Sequence, residues 1–517
     1  MAENKHMIID KENFPYVFIK NIDIPLKTYE KDGKDVPYGE TPDPGYWTRK
    51  GYIVVRADER GAGQSPGFLD TVSRGTSEAF FDVIELAVEQ EWSSGKVGLL
   101  GISYYAGTQW QVAARKPKGL AAIIPWEDMS DYYRDRVRHG GILSDRFIDF
   151  WWNNVVSPNQ YGKPGRATRK WGDDTLEGDL NEDTLLENRR DQTINTAMHK
   201  FRDEEYYRSR DFDVEAIEIP LLSVANWGGI LLHLRGNALG WIRASSKYKF
   251  LHFIVGRHDL PFYYPESAEL QLSFFNSFLK DDDAGGWKSG NQPRTDWPLP
   301  GTEYTKFFLT PENTLSTTST SSTKMVEYDA LHGKPIIFKY KTSSSLEITG
   351  HITAHLTVSA TRESNDAPVP TDIDLFITLR KMNSKGEEVF YTGTMCDPVP
   401  IVKGWQRVSL RKVDATNKLH EEYLPYRKYY STDAQAVEEN QQYEVGVEVW
   451  PTNVVLDPEE TLVLEIAGHD TQGVGKFSHE HADDRDPKVF GGKNCVTVGG
   501  GASWLTLPII NSGKQMD

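Results

Sequence analysis

The chain of 517 residues is poor in several things, and each shortage excludes a class of protein. It has two cysteines, Cys396 and Cys495, so no disulfide framework can hold it together, and a reducing, cytoplasmic compartment is expected. Both cysteines fall in runs that read as strands. Long apolar runs are missing, which excludes a membrane-spanning helix. The start, Met-Ala-Glu-Asn-Lys-His, has no apolar stretch of the kind a secretory signal needs. Positive charge is short: 58 Lys and Arg against 75 Asp and Glu leave a formal charge of -17. Such a surface repels nucleic acid and anionic membranes, so neither is an expected partner. What remains is the composition of a large folded protein, 38% hydrophobic and 26% charged, too long for one ordinary core.

Between residues 51 and 300, short apolar runs alternate with helical patterns, the mark of a mainly parallel α/β sheet. Gly51–Ala57, Val97–Leu100, Leu120–Trp126, Pro220–Trp227 and Tyr248–Gly256 read as its strands. A helix from about Ser77 to Trp92 has Phe80, Val83, Ile84, Ala87 and Val88 at helical spacing. From Ser130 to Glu218 the sequence is aromatic and rich in Arg and Asp, and reads as a helical cap inserted into the sheet. Beyond Asp296–Gly301, period-2 runs such as 352–358, 374–379, 443–449 and 461–466 predict an antiparallel sandwich. The expected division is therefore a core in two parts (1–129 and 219–295), a cap (130–218) and a sandwich (302–517).

The chemistry concentrates at Gly98-Leu99-Leu100-Gly101-Ile102-Ser103-Tyr104-Tyr105-Ala106-Gly107. A serine between an apolar strand and a helix sits on a sharp turn, its hydroxyl exposed and backbone N–H groups beside it. Tyr105 stands where the second glycine of G-x-S-x-G belongs. This segment with Gln109-Trp110, and Asp58-x-Arg60-Gly61-x-Gly63-x-Ser65-x-Gly67, resembles the cocaine esterase and X-Pro dipeptidyl-peptidase family, the CocE/NonD hydrolases. Pro125-Trp126-Glu127, Asn226-Trp227-Gly228-Gly229, His233-Leu234-Arg235-Gly236-Asn237 and Phe490-Gly491-Gly492 extend the resemblance. It implies an α/β-hydrolase core with a helical cap insertion, a C-terminal all-β jelly-roll sandwich, and serine-dependent cleavage of an ester, lactone or amide of a small molecule. No cofactor and no metal are expected.

A serine nucleophile needs a base that takes its proton and returns it. His258 fits, in Val255-Gly256-Arg257-His258 after the last core strand, and matches the family's Gly-x-His. His233 and His252 read as structural. The family's acid position holds Gly229, so the carboxylate is sought one strand earlier, where Glu127 ends the run Ile123–Trp126. Asp128, Asp259 or no acid are the alternatives, and a salt bridge to a cap arginine such as Arg134 is the structural reading of Glu127. The resemblance implies two oxyanion donors, the backbone N–H of Tyr104 and a tyrosine hydroxyl on an early loop. Asp32 occupies that tyrosine's place, leaving Tyr29 or Tyr38 as substitutes, and only Val17–Leu26 reads as a strand ahead of the loop. Trp126, Trp151 and Trp227 are candidates for an apolar substrate pocket, with core packing as the alternative.

Two minor clusters complete the reading. Asp281-Asp282-Asp283 reads as a solvated helix end, and His479, His481, Asp483 and Asp484 as a surface loop. The departures at residues 32 and 229 keep two other functions open: a repurposed hydrolase fold acting as lyase, cyclase or isomerase without an acyl-enzyme, and a non-catalytic binding protein. A homodimer is also left open.

Overall fold

The computed structural model describes residues 40–169, 176–290, 292 and 296–510, together with two short strand pieces at 30–31 and 34–35. Tyr29, Asp32, Tyr38 and the strand expected over Val17–Leu26 lie outside the described residues.

Among the described residues four parallel strands make the core sheet: β1 (Val97–Ile102), β2 (Leu120–Trp126), β3 (Leu221–Asn226) and β4 (Lys249–Ile254), adjacent in that order. β3 is buried along its whole length, as a central strand covered on both faces must be. Helix α1 (Pro44–Arg49) begins where the Asp43 carboxylate accepts from Gly45 N–H. Helix α2 (Arg74–Val88) is capped by Ser73 and starts three residues earlier than periodicity alone indicates. Helix α3 (Tyr104–Ala113) links β1 to β2, α8 (Leu234–Arg243) links β3 to β4, and α9 (Pro265–Leu279) follows β4.

The run Gly51–Ala57 does not form the expected strand: residues 52–59 have no regular structure. Alternation is present, but no described strand lies alongside to take its hydrogen bonds, and Ile53 and Val55 are exposed. Tyr52 and Val54 pack instead on the Trp47, Phe275 and Phe278 side of the core.

The segment between β2 and β3 is helical, as expected of the cap. It opens with a wide i→i+5 turn (Tyr132–Val137), followed by α4 (Asp145–Trp151), α5 (Glu182–Glu187), α6 (Gln192–Met198) and α7 (Glu205–Arg208). One departure is a pair of two-residue strands, Arg138–His139 and Ile142–Leu143. Among the described residues no helix is long and apolar enough to cross a membrane.

The C-terminal half is antiparallel throughout. Its main strands are β5 (Thr302–Leu309), β6 (Thr323–Asp329), β7 (Ile336–Lys341), β8 (Leu346–Thr361), β9 (Asp374–Met382), β10 (Val402–Arg407), β11 (Tyr443–Leu456), β12 (Thr461–Ala467), β13 (Lys493–Gly499) and β14 (Trp504–Ile510). They run β5-β14-β8-β11-β10-β9-β12-β7, with β6 and β13 paired off β8. Cys495 lies in β13, but Cys396 sits in a turn at φ 69°, a correction to its expected strand. Both thiols are unpaired.

The sandwich and cap meet through charge. Asp484 is bonded by Arg138 from the cap and by Arg407 of β10, and Asp374 of β9 holds Arg407 and Arg485. All five are buried. His479 is buried with them, accepting or donating at 3.0 Å with His139 of the cap and pairing with Asp470. His479 and Asp484, expected on a surface loop, are thus part of a buried joint because their side chains find partners on another part of the chain, while Asp483 is exposed as expected. Asp281, in contrast, stays exposed with Lys96 and Lys288.

Candidate active site

β1 ends at Ile102, and Ser103 turns the chain into α3 at φ 57°, ψ -120°, a conformation costly for a residue with a side chain. Hydrogen bonds hold it there. Ser103 N–H donates to the carbonyls of Trp126 and Glu127 at 3.1 Å, and its own carbonyl accepts from Ala106 and Gly107 N–H. Gly101 is required because a Cβ there would lie 2.6 Å from Tyr105 Cβ. The second glycine is dispensable: Tyr105 points outward and is 48% exposed. Tyr104 is the first residue of α3, so its N–H has no partner within the helix and forms part of the positive end of the helix dipole. Its hydroxyl donates to Glu59 Oε2 at 2.5 Å and accepts from Val72 N–H.

Glu127 follows β2 and is fully buried, at φ 45°. Its Oε2 lies 3.0 Å from His258 Nδ1, and Asn226 Nδ2 donates to its Oε1 at 3.0 Å. The cap arginine Arg134 pairs with Asp131 instead. Asp259 is taken by Arg257, and Asp128 accepts from Met129 N–H, so neither alternative acid serves His258. Gly229 forms a turn in which its N–H donates to Asn226 O and its carbonyl accepts from Leu234 N–H at the start of α8.

Two residues that sequence reasoning did not place in the site are there. Glu40 Oε1 lies 3.3 Å from His258 Nε2, so the imidazole has a carboxylate on each nitrogen. Burial opposes its charge, but Glu127 and Glu40 together outweigh burial and push His258 up to about 10. The second is His233, expected to be structural. Its Nε2 is 3.4 Å from Ser103 Oγ, and its ring stacks on His258 at 4.7 Å and 7°. Burial and the neighbouring His258 push His233 well below its ordinary value, so this imidazole is neutral. The usable signal for His233 was its place on the loop after a core strand, where such sheets gather their reactive groups. Glu40 left no signal; only its contact across the chain reveals it.

Of the three tryptophans, Trp126 is a correction: it is fully buried, edge-on to Phe262, and fills the core. Trp227 stacks on Phe253 at 4.0 Å. Trp151 packs on the first residue of α3, 5.3 Å from the Tyr104 ring, with the Arg136 guanidinium 4.4 Å from its own ring centre. His252 is exposed on β4, away from the described contacts of Ser103.

Glu127, His233 and His258 each bring one donor atom within 4.8 Å of the others. Metal ligands must aim at one point. The two imidazoles are parallel, so their in-plane lone pairs run in separate planes, and the set fits hydrogen bonding better than an ion.

A strained serine turn at the end of a parallel strand, leading into a helix, its hydroxyl on an imidazole that stacks on a carboxylate-bound histidine, defines a serine hydrolase of the α/β-hydrolase fold, here with a helical cap and a jelly-roll sandwich. Sequence comparison agrees over nearly the whole chain. Residues 10–258 match the X-Pro dipeptidyl-peptidase (S15 family), and residues 275–506 match the X-Pro dipeptidyl-peptidase C-terminal non-catalytic domain. The chain belongs to the CocE/NonD, X-Pro dipeptidyl-peptidase-like hydrolases. Cocaine esterase from a Rhodococcus species is 25% identical over 407 residues, covering 62% of this chain and 69% of that protein. A putative Xaa-Pro dipeptidyl-peptidase of Bacillus cereus is 34% identical over 143 residues, 24% of each chain. A CocE/NonD family hydrolase from Staphylococcus aureus has a similar structure, with a TM-score of 0.78 and 27% identity over 99% of this chain and 87% of the other.

Proposed function

We propose that Ser103 is the nucleophile, His258 the general base and Glu127 the acid that orients it, acting on an ester, lactone or amide of a small molecule through an acyl-enzyme. The observation that carries this reading is the 3.0 Å contact of His258 Nδ1 with Glu127 Oε2 beside a serine on a strained turn. In the reaction His258 Nε2 takes the Ser103 proton as Oγ attacks the substrate carbonyl. The Tyr104 N–H, at the start of α3, faces the developing oxyanion. The imidazolium returns its proton to the leaving group, and water then repeats the sequence to release the acid. Glu127 holds the imidazole in the required orientation and favours its charged form.

In the resting arrangement Nε2 is occupied by Glu40, and the serine hydroxyl rests on His233. Glu40 must withdraw and the Ser103 side chain must turn before the base can work. The reading also holds that the enzyme works in the cytoplasm without a nucleic-acid partner, supported by two unpaired thiols and the charge of -17. A homodimer is compatible with it.

Labelling with a fluorophosphonate tests the assignment. The native chain is expected to take one label, and Ser103→Ala none. An equally labelled Ser103→Ala variant, or a folded native chain that takes no label, removes Ser103 as nucleophile.

A further inference from the structure

A cavity of about 40 Å³ lies where the cap, α8 and the sandwich meet. None of the side chains found on Ser103 or His258 lines it. A single water occupies about 10–15 Å³ by the same measure, so the space suits a small polyatomic ion. Its walls carry five guanidiniums: Arg134, Arg202, Arg235, Arg243 and Arg427.

Three of these have carboxylates. Arg134 pairs with Asp131, Arg202 with Asp211 at 2.9 Å, and Arg235 with Asp135 at 2.7 Å and Glu448 at 2.6 Å. Among the described residues the other two have no such pair, although Asp131 acts on Arg243 and Glu448 on Arg427 through space. Arg427 is 2% exposed, its Nε and Nη2 donate to the carbonyls of Arg411 and Gly446, and the Tyr429 side chain lies beside it. Its Nη1 is buried with no hydrogen-bond partner. Arg243, near the end of α8, likewise has a buried Nε with no partner. Burial pulls both guanidiniums below their ordinary value, but an arginine does not give up its proton at neutral pH. Two charges of one sign therefore face a cavity with donor hydrogens unused. The group that satisfies them is an anion with several acceptor oxygens, because a guanidinium binds such oxygens in pairs.

The geometry points to a binding site for a small tetrahedral oxyanion of the phosphate class, held by Arg243 and Arg427 and joining α8 to the sandwich. The site is independent of the hydrolytic assignment, since no atom of the Ser103 chemistry enters it.

Titration calorimetry and thermal unfolding of the full chain, with inorganic phosphate replacing chloride at constant ionic strength, test it. One phosphate per chain and a saturable rise in Tm are expected. A general salting-out effect would grow without saturating and would be the same in every variant. Arg243→Gln should weaken binding at least 10-fold, Arg243→Lys should restore part of it, and both should keep the ester turnover of the native chain without phosphate, which reports correct folding. Glycerol 3-phosphate forms a second arm: tighter binding than inorganic phosphate assigns the site to a phosphate monoester, and equal or weaker binding to the free ion. The absence of a saturable response in the native chain, or the same response in Arg243→Gln, overturns the proposal.

Discussion

Replacing Glu40 by glutamine removes one of the two carboxylates on His258 and leaves the shape of the side chain nearly unchanged. The lost charge sits 3.3 Å from Nε2. At an effective dielectric of about 20, a pair of unit charges at that separation attracts by about 5 kcal/mol, which is an upper bound. Measured effects of one opposite charge are smaller, about 1–3 pH units. Burial works against a charged His258, yet Glu127 and Glu40 push it up to about 10. A base titrating there is neutral in only about one molecule in a thousand at pH 7. Only the neutral form can take the serine proton. The other titratable ring against His258, His233, is neutral, and Asp259 is neutralised by Arg257. The native kcat/KM should therefore climb with pH from neutrality toward about 10. In Glu40→Gln the acid limb should move down by about 1–3 units, raising kcat/KM at pH 7 by about 10-fold or more. The assay is hydrolysis of a chromogenic ester from about pH 6 to about pH 10, with the Ser103→Ala rate subtracted as blank. An acid limb in the same place for both proteins, or a Glu40→Gln variant slower at every pH, would refute Glu40 as a restraint on the base.

His233→Phe keeps the ring stack on His258 and deletes the contact with Ser103. The serine hydroxyl must leave His233 before His258 can take its proton, so freeing a resting hydrogen bond of about 0.5–1.5 kcal/mol should raise kcat about 2- to 12-fold, as steady-state kinetics would show. Asp484→Asn leaves Arg138 buried without its anion, while Arg407 keeps Asp374, and should cost about 3–5 kcal/mol in urea unfolding. The two arginines hold Asp484 well below the usual carboxylate range. Its stabilising effect is thus present above about pH 4 and fades as the pH falls further, so native and variant stabilities should converge in acid. A Cβ on Gly236 would lie 2.4 Å from Asp128 O and 2.5 Å from Met129 Cα. Gly236→Ala should therefore destabilise by about 1–3 kcal/mol or more, measured in the same way.

Ser103 and its strand–turn–helix setting were legible because both are local: a few consecutive residues determine them. Glu127 could be reached as well, since it ends a strand whose place in a parallel sheet follows from chain order. The limits appear wherever a residue's role depends on a distant partner. His233 and Ser103 are 130 residues apart, and no spacing rule joins them. Gly51–Ala57 has the alternation of a strand, yet alternation describes one chain's faces and cannot supply the neighbour that a ladder needs. The same holds for 479–484, whose polarity suggests a surface until Arg138 and Arg407 are brought against it. Trp126, too, carries an indole that suits either a pocket or a core, and only packing against Phe262 decides.

The buried joint around Asp484 bears on how such a chain can be rearranged. Its two family matches meet between residues 258 and 275, which invites the view that the halves are interchangeable parts. Arg138 comes from the first half, and Asp484, Arg407 and Asp374 from the second. A hydrolase half grafted onto a foreign sandwich would carry a guanidinium into an interface with no anion waiting. The two halves are therefore not interchangeable one at a time: a new C-terminal half must bring its own acid at position 484, or be joined to a cap that no longer needs one.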